Sequence, residues 1–212
     1  MGKSMSMRVF VAMDVRDEGS IGKMLEVQRE FISLGLDAKP VSRGQLHFTL
    51  LFLGEIDPSM LEGIKDRLSS MAFEPVNVAY RGVGVFPNMK HPRVIWVGVD
   101  QDSASRLVEV ARGVEDRLKP MGFRSDKQFT PHITLLRVRD GGMGGGGGRS
   151  RRSVLDALTA TINRHSNSYF GSDVLDEIKV KRSELRSEGP VYTDIFSVKA
   201  CHRSMEEGAG VG

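Results

Sequence analysis

Two short strings in the sequence place a threonine two positions after a histidine and follow it with two leucines. They begin 85 positions apart and run His47-Phe-Thr-Leu-Leu51 and His132-Ile-Thr-Leu-Leu136. On a β-strand, side chains two positions apart project from the same face. We therefore expect His47 to project with Thr49, and His132 with Thr134. Phe48 and Leu50 should face a core on the opposite side of the strand.

Two histidine and threonine pairs that face one cleft suit displacement at phosphorus. A neutral imidazole on one side can take a proton from water, and a protonated imidazole opposite can give a proton to the leaving oxygen. Histidine suits both tasks because its reference pKa is about 6.5. The hydroxyls of Thr49 and Thr134 can hydrogen-bond the non-bridging oxygens.

Other interpretations of these histidines carry less weight. A single histidine is more often a core-edge residue that bonds the backbone, but a repeated histidine and threonine pair is harder to explain in that way. Zinc is disfavoured because two histidines without a third ligand make a poor site, so we expect neither a metal nor a cofactor. His91, His165 and His202 lie outside the repeat and are predicted to be structural or surface residues.

The repeat extends beyond the histidines. The string Arg8-Val-Phe-Val-Ala-Met-Asp14 resembles Arg93-Val-Ile-Trp-Val-Gly-Val-Asp100, again with an offset of 85, and a helical pattern follows each string. Each half, about 8–56 and 93–141, is thus predicted to form a strand, a helix and a strand. Further predicted elements are a helix from Asp57 and Pro58 to Met71, a strand at 76–85, a helix at 153–163, and strands at 174–185 and 191–200.

These elements predict an α+β fold of two lobes related by a pseudo-twofold axis. Each lobe would be a small, mainly antiparallel sheet with helices on its outer face, and the active site would lie in the central cleft. We predict one bilobal domain over 7–200. Seven glycines occupy the eight positions 141–148, and 141–152 is predicted to be a flexible Gly/Arg-rich loop. The tail at 203–212 is predicted to be disordered.

Composition narrows the class of protein. The chain has 212 residues, of which 40% are hydrophobic and 27% charged, a balance typical of folded proteins and not of disordered ones. No apolar run is long enough for a membrane helix, the first residues do not resemble a signal peptide, and the single cysteine, Cys201, favours a reducing, cytoplasmic location. The net charge of +3 permits a polyanionic partner, and five arginines against one acid fall within 137–152.

The two histidine strings resemble the H-x-T-hydrophobic motifs of the 2H phosphoesterase superfamily. The flanking text resembles one branch, the RNA 2′,3′-cyclic phosphodiesterases, also called 2′-5′ RNA ligases. The similarity runs from about residue 7 to 200, and its most specific blocks are Leu46–Glu55, Gly84–Asn88, Pro92–Gly98, Phe129–Arg137 and Gly189–Tyr192.

This resemblance implies a metal-independent enzyme that opens RNA 2′,3′-cyclic phosphate ends to 2′-phosphates, with joining of tRNA halves through a 2′-5′ linkage as the reverse reaction. It implies that His47 is the general acid and His132 the general base, although the pseudo-symmetry leaves that order open. It also implies that Arg137 contacts substrate and that Phe52 stacks on the terminal base. The partner would be RNA, with no membrane, and we expect a monomer.

Two points stay open at this level. Arg137 and Phe52 each lie five positions after a histidine, so a regular strand would aim both away from the cleft unless a strand end or a bulge after Leu136 re-aimed the chain. Two other functions also fit the motifs. One is an RNA-end-binding protein without turnover, and the other is a 2H enzyme that acts on small cyclic phosphates.

Overall fold

The computed structural model describes residues 6–139, 142, 150–186 and 189–201. Short 3₁₀ turns lie at Arg43–Gln45 and Lys119–Met121. The helices and strands, in chain order, are β1 (Met7–Asp14), α1 (Glu18–Ser33), β2 (Ala38–Pro40), β3 (His47–Ile56), α2 (Met60–Ser69), β4 (Val76–Phe86), β5 (Val94–Val99), α3 (Gln101–Leu118), β6 (Ile133–Val138), α4 (Arg151–His165), β7 (Tyr169–Leu175), β8 (Glu177–Arg186) and β9 (Gly189–Lys199).

The strands form one antiparallel sheet whose order reflects the sequence repeat. The order is β7-β4-β5-β6-β3-β1-β8-β9, with β2 added beside β6. The two strands that contain the histidine strings meet at the centre, and the two strands with the other repeated string flank them. This mirror order divides the sheet into a first lobe of β3, β1, β8 and β9 and a second lobe of β6, β5, β4 and β7, as the α+β prediction requires.

The helices cover the face of the sheet that is opposite the histidines. Helix α1 packs against β6 and β7, α3 against β3 and β4, and α4 against β4. Aspartates fix the starts of the two long helices: the Asp17 carboxylate accepts from Ser20 N at 2.6 Å, and the Asp100 carboxylate accepts from Ser103 N at 2.9 Å. No helix in the described residues is long and apolar enough to span a membrane.

Several predicted boundaries differ from the observed ones. The strand predicted at 174–185 is two strands, because β7 pairs with β4 in the second lobe whereas β8 pairs with β1 in the first. The chain crosses between the lobes at Asp176, which Arg16 holds by an ion pair. The helix predicted from Pro58 begins at Met60, since Asp57 accepts from Ser59 N at 2.9 Å and forms a turn instead. The short strand β2 was not predicted.

Some sequence predictions fall where the structure gives no description. Of the predicted loop at 141–152, residues 141 and 143–149 lie outside the described residues, as do the tail at 203–212 and His202. The end of that loop was wrongly predicted, because α4 begins at Arg151, where the Ser150 side chain accepts from Ser153 N. The single-domain boundary at 7–200 stays a prediction.

Candidate active site

A single backbone pair joins the two lobes and sets the geometry of the site. Phe48 of β3 pairs with Ile133 of β6, and these two residues are themselves 85 positions apart. An antiparallel pair between equivalent residues lies on the pseudo-twofold axis. Both side chains are buried on the helix side of the sheet. The side chains next to them must therefore project into the cleft on the other face.

Extending this register by one residue in each direction assembles the predicted group. His47 falls opposite Thr134, and Thr49 falls opposite His132. Facing residues in an antiparallel pair lie about 4.5–5.5 Å apart at their Cα atoms. This register implies that the four side chains lie close together at the centre of the cleft, in a group that we call the square.

The two histidines have the same tautomer because their neighbours repeat as well. Nδ1 of His47 donates to the carbonyl oxygen of Gln45 at 2.7 Å, and Nδ1 of His132 donates to that of Thr130 at 2.7 Å. Since a carbonyl only accepts, the proton of each neutral ring lies on Nδ1 and Nε2 stays available as a base. Nε2 of His47 lies 3.1 Å from Oγ1 of Thr49, whose hydroxyl can donate to it.

Aromatic rings surround each imidazole. The His47 ring lies 5.1 Å from Phe10 and 5.2 Å from Tyr192, and the His132 ring lies 4.9 Å from Phe86 and 6.4 Å from Trp96, measured between centroids. Such packing removes water from the rings and disfavours their charged forms.

Burial accordingly lowers the pKa of both histidines. It lowers the pKa of His47 to about 4, although the hydrogen bond to Gln45 and the carboxylate of Asp14 act in the opposite direction. It also lowers the pKa of His132, against the hydrogen bond to Thr130. Both imidazoles are therefore neutral near pH 7 in the free protein.

Two bulges place Phe52 and Arg137 on the cleft face. In β3 the pairing with β1 shifts between Leu51 and Thr49, and in β6 the pairing with β5 shifts between Leu136 and Thr134. The extra residue in each strand reverses the alternation that follows it. The predicted re-aiming of Arg137 therefore occurs, but one residue earlier than expected, before Leu136 instead of after it.

The sequence carries a signal for these bulges. Two consecutive buried leucines follow each threonine, whereas a regular half-buried strand would bury only one of them. After the bulge, Phe52 pairs with Phe10 and its side chain is 71% exposed. Arg137 is exposed and pairs with Val94 on one side and Lys39 on the other. An open aromatic ring and a guanidinium thus flank the square of histidines and threonines.

Sequence reasoning missed four charged residues on the cleft face of the first lobe. Lys179 and Lys181 alternate with buried Ile178 and Val180 in β8. This alternation puts both lysines on one face of the strand but indicates no role for them. The structure adds two partners that are distant in sequence, Asp14 and Asp194.

The rest of the described chain offers weaker candidates for a functional site. Among residues 6–139, 142, 150–186 and 189–201, no three His, Cys, Asp or Glu side chains are grouped to hold a metal ion. A cavity of about 870 Å³ lies along α3 and β4, but neither histidine lines it. We therefore place the candidate site by its side-chain chemistry and not by cavity volume.

The mirror-ordered sheet and the paired histidines and threonines define the class of bilobal two-histidine phosphoesterases. The family model described as LigT like Phosphoesterase matches the chain twice, over residues 18–96 and 97–192. The chain belongs to this family of phosphoesterases. The two matches divide the chain close to the boundary between its repeats.

Similar proteins extend over almost the whole chain. The RNA 2′,3′-cyclic phosphodiesterase of Archaeoglobus fulgidus is 36% identical over 189 residues, which cover 89% of this chain and 98% of that protein. The protein of the same name from Methanothermobacter thermautotrophicus is 34% identical over 193 residues, covering 90% and 97%.

Solved structures agree with the fold. The crystal structure of the protein TT0787 of Thermus thermophilus matches with a TM-score of 0.69 at 28% identity, over 91% of this chain and 97% of that one. The E. coli LigT structure complexed with 3′-AMP matches with a TM-score of 0.69 at 19% identity, over 93% and 100%. The second likeness supports the fold alone.

Proposed function

We propose that this protein hydrolyses the 2′,3′-cyclic phosphate ends of RNA to 2′-phosphomonoesters, without a metal ion, by acid–base catalysis between His47 and His132. The observation that carries this proposal is the pair of Phe48 with Ile133, which sets both histidines and both threonines around one point of the cleft. The relatives named RNA 2′,3′-cyclic phosphodiesterase support the choice of substrate.

The reaction needs one proton taken and one proton given. Nε2 of His132 accepts a proton from water as the water oxygen bonds to phosphorus. The bond from phosphorus to the 3′ oxygen breaks, and Nε2 of His47, which takes up a proton from solvent as the substrate anion binds, gives that proton to the 3′ oxygen. The phosphate keeps its ester to the 2′ oxygen, and the hydroxyls of Thr49 and Thr134 hold the non-bridging oxygens.

The carboxylate of Asp14 supports His47 as the acid. Asp14 pairs with His47 across β1 and β3, and its negative charge favours the imidazolium form. A bound phosphodiester anion adds a second negative charge beside the same ring. Within the described part of the chain, His132 has no carboxylate of this kind among the charged groups that influence its pKa. The Asp14 carboxylate therefore supports His47 as the acid, against the burial that lowers the pKa of His47 to about 4.

Two side chains outside the square bind the rest of the substrate. The exposed ring of Phe52 stacks on the terminal base, and the guanidinium of Arg137 contacts the phosphate or its neighbour. When a 5′-hydroxyl takes the place of water in this ring opening, the product is a 2′-5′ linkage formed with the same two proton transfers. tRNA fragments as substrate, a cytoplasmic location and a monomeric state remain predictions.

The test is hydrolysis of a 2′,3′-cyclic-phosphate oligonucleotide in EDTA and ¹⁸O-labelled water. We expect undiminished turnover in the chelator, one ¹⁸O in the product, and a product phosphate on the 2′ oxygen by ³¹P NMR. His132→Ala should reduce turnover by about 10²–10⁴-fold, whereas the exposed His91→Ala should not reduce it. Tight binding without product would indicate an RNA-end-binding protein, and turnover restricted to small cyclic phosphates would change the substrate.

A further inference from the structure

Behind His47 lies a cluster of four charged side chains, Asp14, Lys179, Lys181 and Asp194, which we call the ion cluster. Nζ of Lys181 lies 2.9 Å from Asp14 Oδ2 and 2.5 Å from Asp194 Oδ1. Nζ of Lys179 lies 3.1 Å from Asp14 and 2.7 Å from Asp194. Each lysine therefore bridges the same two carboxylates, and Glu177 lies at the margin of the cluster, 3.8 Å from Nζ of Lys179.

The register of the sheet connects the ion cluster to His47. Asp14 pairs directly with His47 across β1 and β3. Lys181 pairs with Phe10, and the Phe10 ring lies 5.1 Å from the His47 ring. The side chains of paired residues share a face of the sheet. The ion cluster is thus the wall of the cleft on the side of His47.

Lys181 is unusual because its residue is only 6% exposed. Lysine is almost never fully buried unless it is paired. Removing two ions from water costs several kcal/mol per ion, and hydrophobic residues of similar volume are often as stable. Stability alone is therefore a weak reason for a buried ammonium at this place.

The second lobe fills the equivalent space with apolar groups. In the first lobe, Phe52 pairs with Phe10, which pairs with Lys181. In the second lobe, Arg137 is equivalent to Phe52 and pairs with Val94, which pairs with Phe86. Phe86 therefore occupies the position that corresponds to Lys181. In the same way, Lys179 has Gly84 as its counterpart. Across the described strands, the wall behind His47 is therefore ionic and the matching wall behind His132 is not.

We propose that Lys181, held between Asp14 and Asp194, is a positioning residue that holds the Asp14 carboxylate beside His47, where its negative charge favours the protonated form of that histidine. This inference rests on the proposed function, since it concerns the histidine named there as the acid. Lys181 itself is too buried to contact substrate and acts through Asp14.

The charges that face His47 come from every strand packed around it. They are Asp14 from β1, three residues of β8 (Glu177, Lys179 and Lys181), Asp194 from β9 and Arg137 from β6, with the Tyr192 ring at its edge. Asp14 favours the protonated ring, whereas Lys181 and Arg137 disfavour it. Loss of the Lys181 charge alone would therefore raise the proton affinity of His47, whereas loss of the contact that holds Asp14 would lower it.

The experiment is an NMR titration of the His47 and His132 ring protons in the substrate-free protein. Asp14→Asn should lower the titration midpoint of His47, or move it below the range in which the protein stays folded. Lys181→Met should also lower it, because the Asp14 carboxylate is then no longer held beside the ring, whereas loss of the lysine charge alone would raise it. Lys181→Arg should restore the wild-type midpoint.

The control substitution is Lys65→Met, which removes the same charge from the surface of α2, where Lys65 contacts Glu62 at 2.7 Å. It should move neither histidine. If Lys181→Met does not fold, Asp194→Asn serves in its place, because it frees the charge of Lys181 and should lower the midpoint of His47.

A rise in the midpoint of His47 in Lys181→Met, no shift, or equal shifts of His132 would overturn the inference and leave the ion cluster a structural feature. The titration uses no substrate, so a failure of the proposed hydrolysis would appear separately in the turnover assay.

Discussion

Behind His47 the wall of the cleft is ionic, whereas behind His132 it is aromatic. Ala12 pairs with Thr49 in the first lobe, and Trp96 pairs with Thr134 in the second. The small side chain of Ala12 leaves room for the two lysine stems and their carboxylates. The Trp96 indole instead lies on Gly84, where a Cβ atom would overlap the ring.

This contrast shows how a duplicated half can yield two different catalytic groups. The repeat gives both histidines the same strand position, the same Nδ1 hydrogen bond and the same threonine neighbour. General acid and general base need opposite protonation states at the same pH, which identical surroundings would not provide. Under the proposed mechanism, Asp14 in the ionic wall favours the protonated form of His47, a difference between the two histidines that the repeat does not provide.

The largest effect we expect is on turnover. Replacing either His47 or His132 by alanine should reduce kcat/KM by about 10²–10⁴-fold, the usual contribution of one acid or base. The double variant should lose little more than either single variant, because the two groups act as a unit. Steady-state assays on a cyclic-ended oligonucleotide measure this, with circular dichroism to check folding. A single variant that kept near-normal turnover would break the equivalence of the two lobes.

The next effect concerns the pH dependence of stability. The pKa of His47 falls from 6.5 to about 4 on folding, so between these values the unfolded chain binds more protons and stability falls as the pH falls. By pH 4.5 this costs about 2–3 kcal/mol. The free energy of unfolding, measured with urea at pH 7 and at pH 4.5, should therefore fall less between these two values in His47→Gln than in the wild type. His91→Gln should fall as much as the wild type. An equal fall in His47→Gln would contradict the burial of this ring.

Phe52 and Arg137 occupy equivalent positions 85 residues apart, and their replacement should affect binding in different ways. Phe52→Ala should weaken binding by about 1–3 kcal/mol, the usual value of one base stack, without lowering the unfolding temperature. Arg137→Ala should also reduce the slope of log affinity against log salt by about 1. Fluorescence binding at several salt concentrations separates these effects, and Phe52→Tyr should preserve stacking. Equal salt slopes for both alanine variants would remove the distinction.

The smallest effect tests the aromatic wall. Gly84→Ala must displace Trp96, which is the single tryptophan of the chain. We expect about 1–3 kcal/mol of destabilisation, as for other overpacked sites, and a changed tryptophan emission. The control is Gly22→Ala in α1, where a Cβ meets nothing within 4 Å. Unchanged emission in Gly84→Ala would show that the indole does not depend on this glycine.

Much of the site follows from local patterns in the sequence. The two-residue alternation in the histidine strings correctly predicts that His47 and Thr49 share a face opposite Phe48. The offset of 85 correctly predicts that the two histidine strands occupy equivalent places. These features are local, or repeat a local feature, so the chain alone determines them.

The pairing between distant strands decided the rest. The bulges that aim Phe52 and Arg137 into the cleft exist only against the partners β1 and β5. The division of the predicted strand at Asp176 arises because its two parts pair in different lobes. Lys181 belongs to a regular alternation in β8, and nothing in that alternation reveals that Asp14 and Asp194 will bury its charge. Sequence determines which residues are available to react, but their charge environment depends on neighbours that only long-range packing brings within a few ångströms.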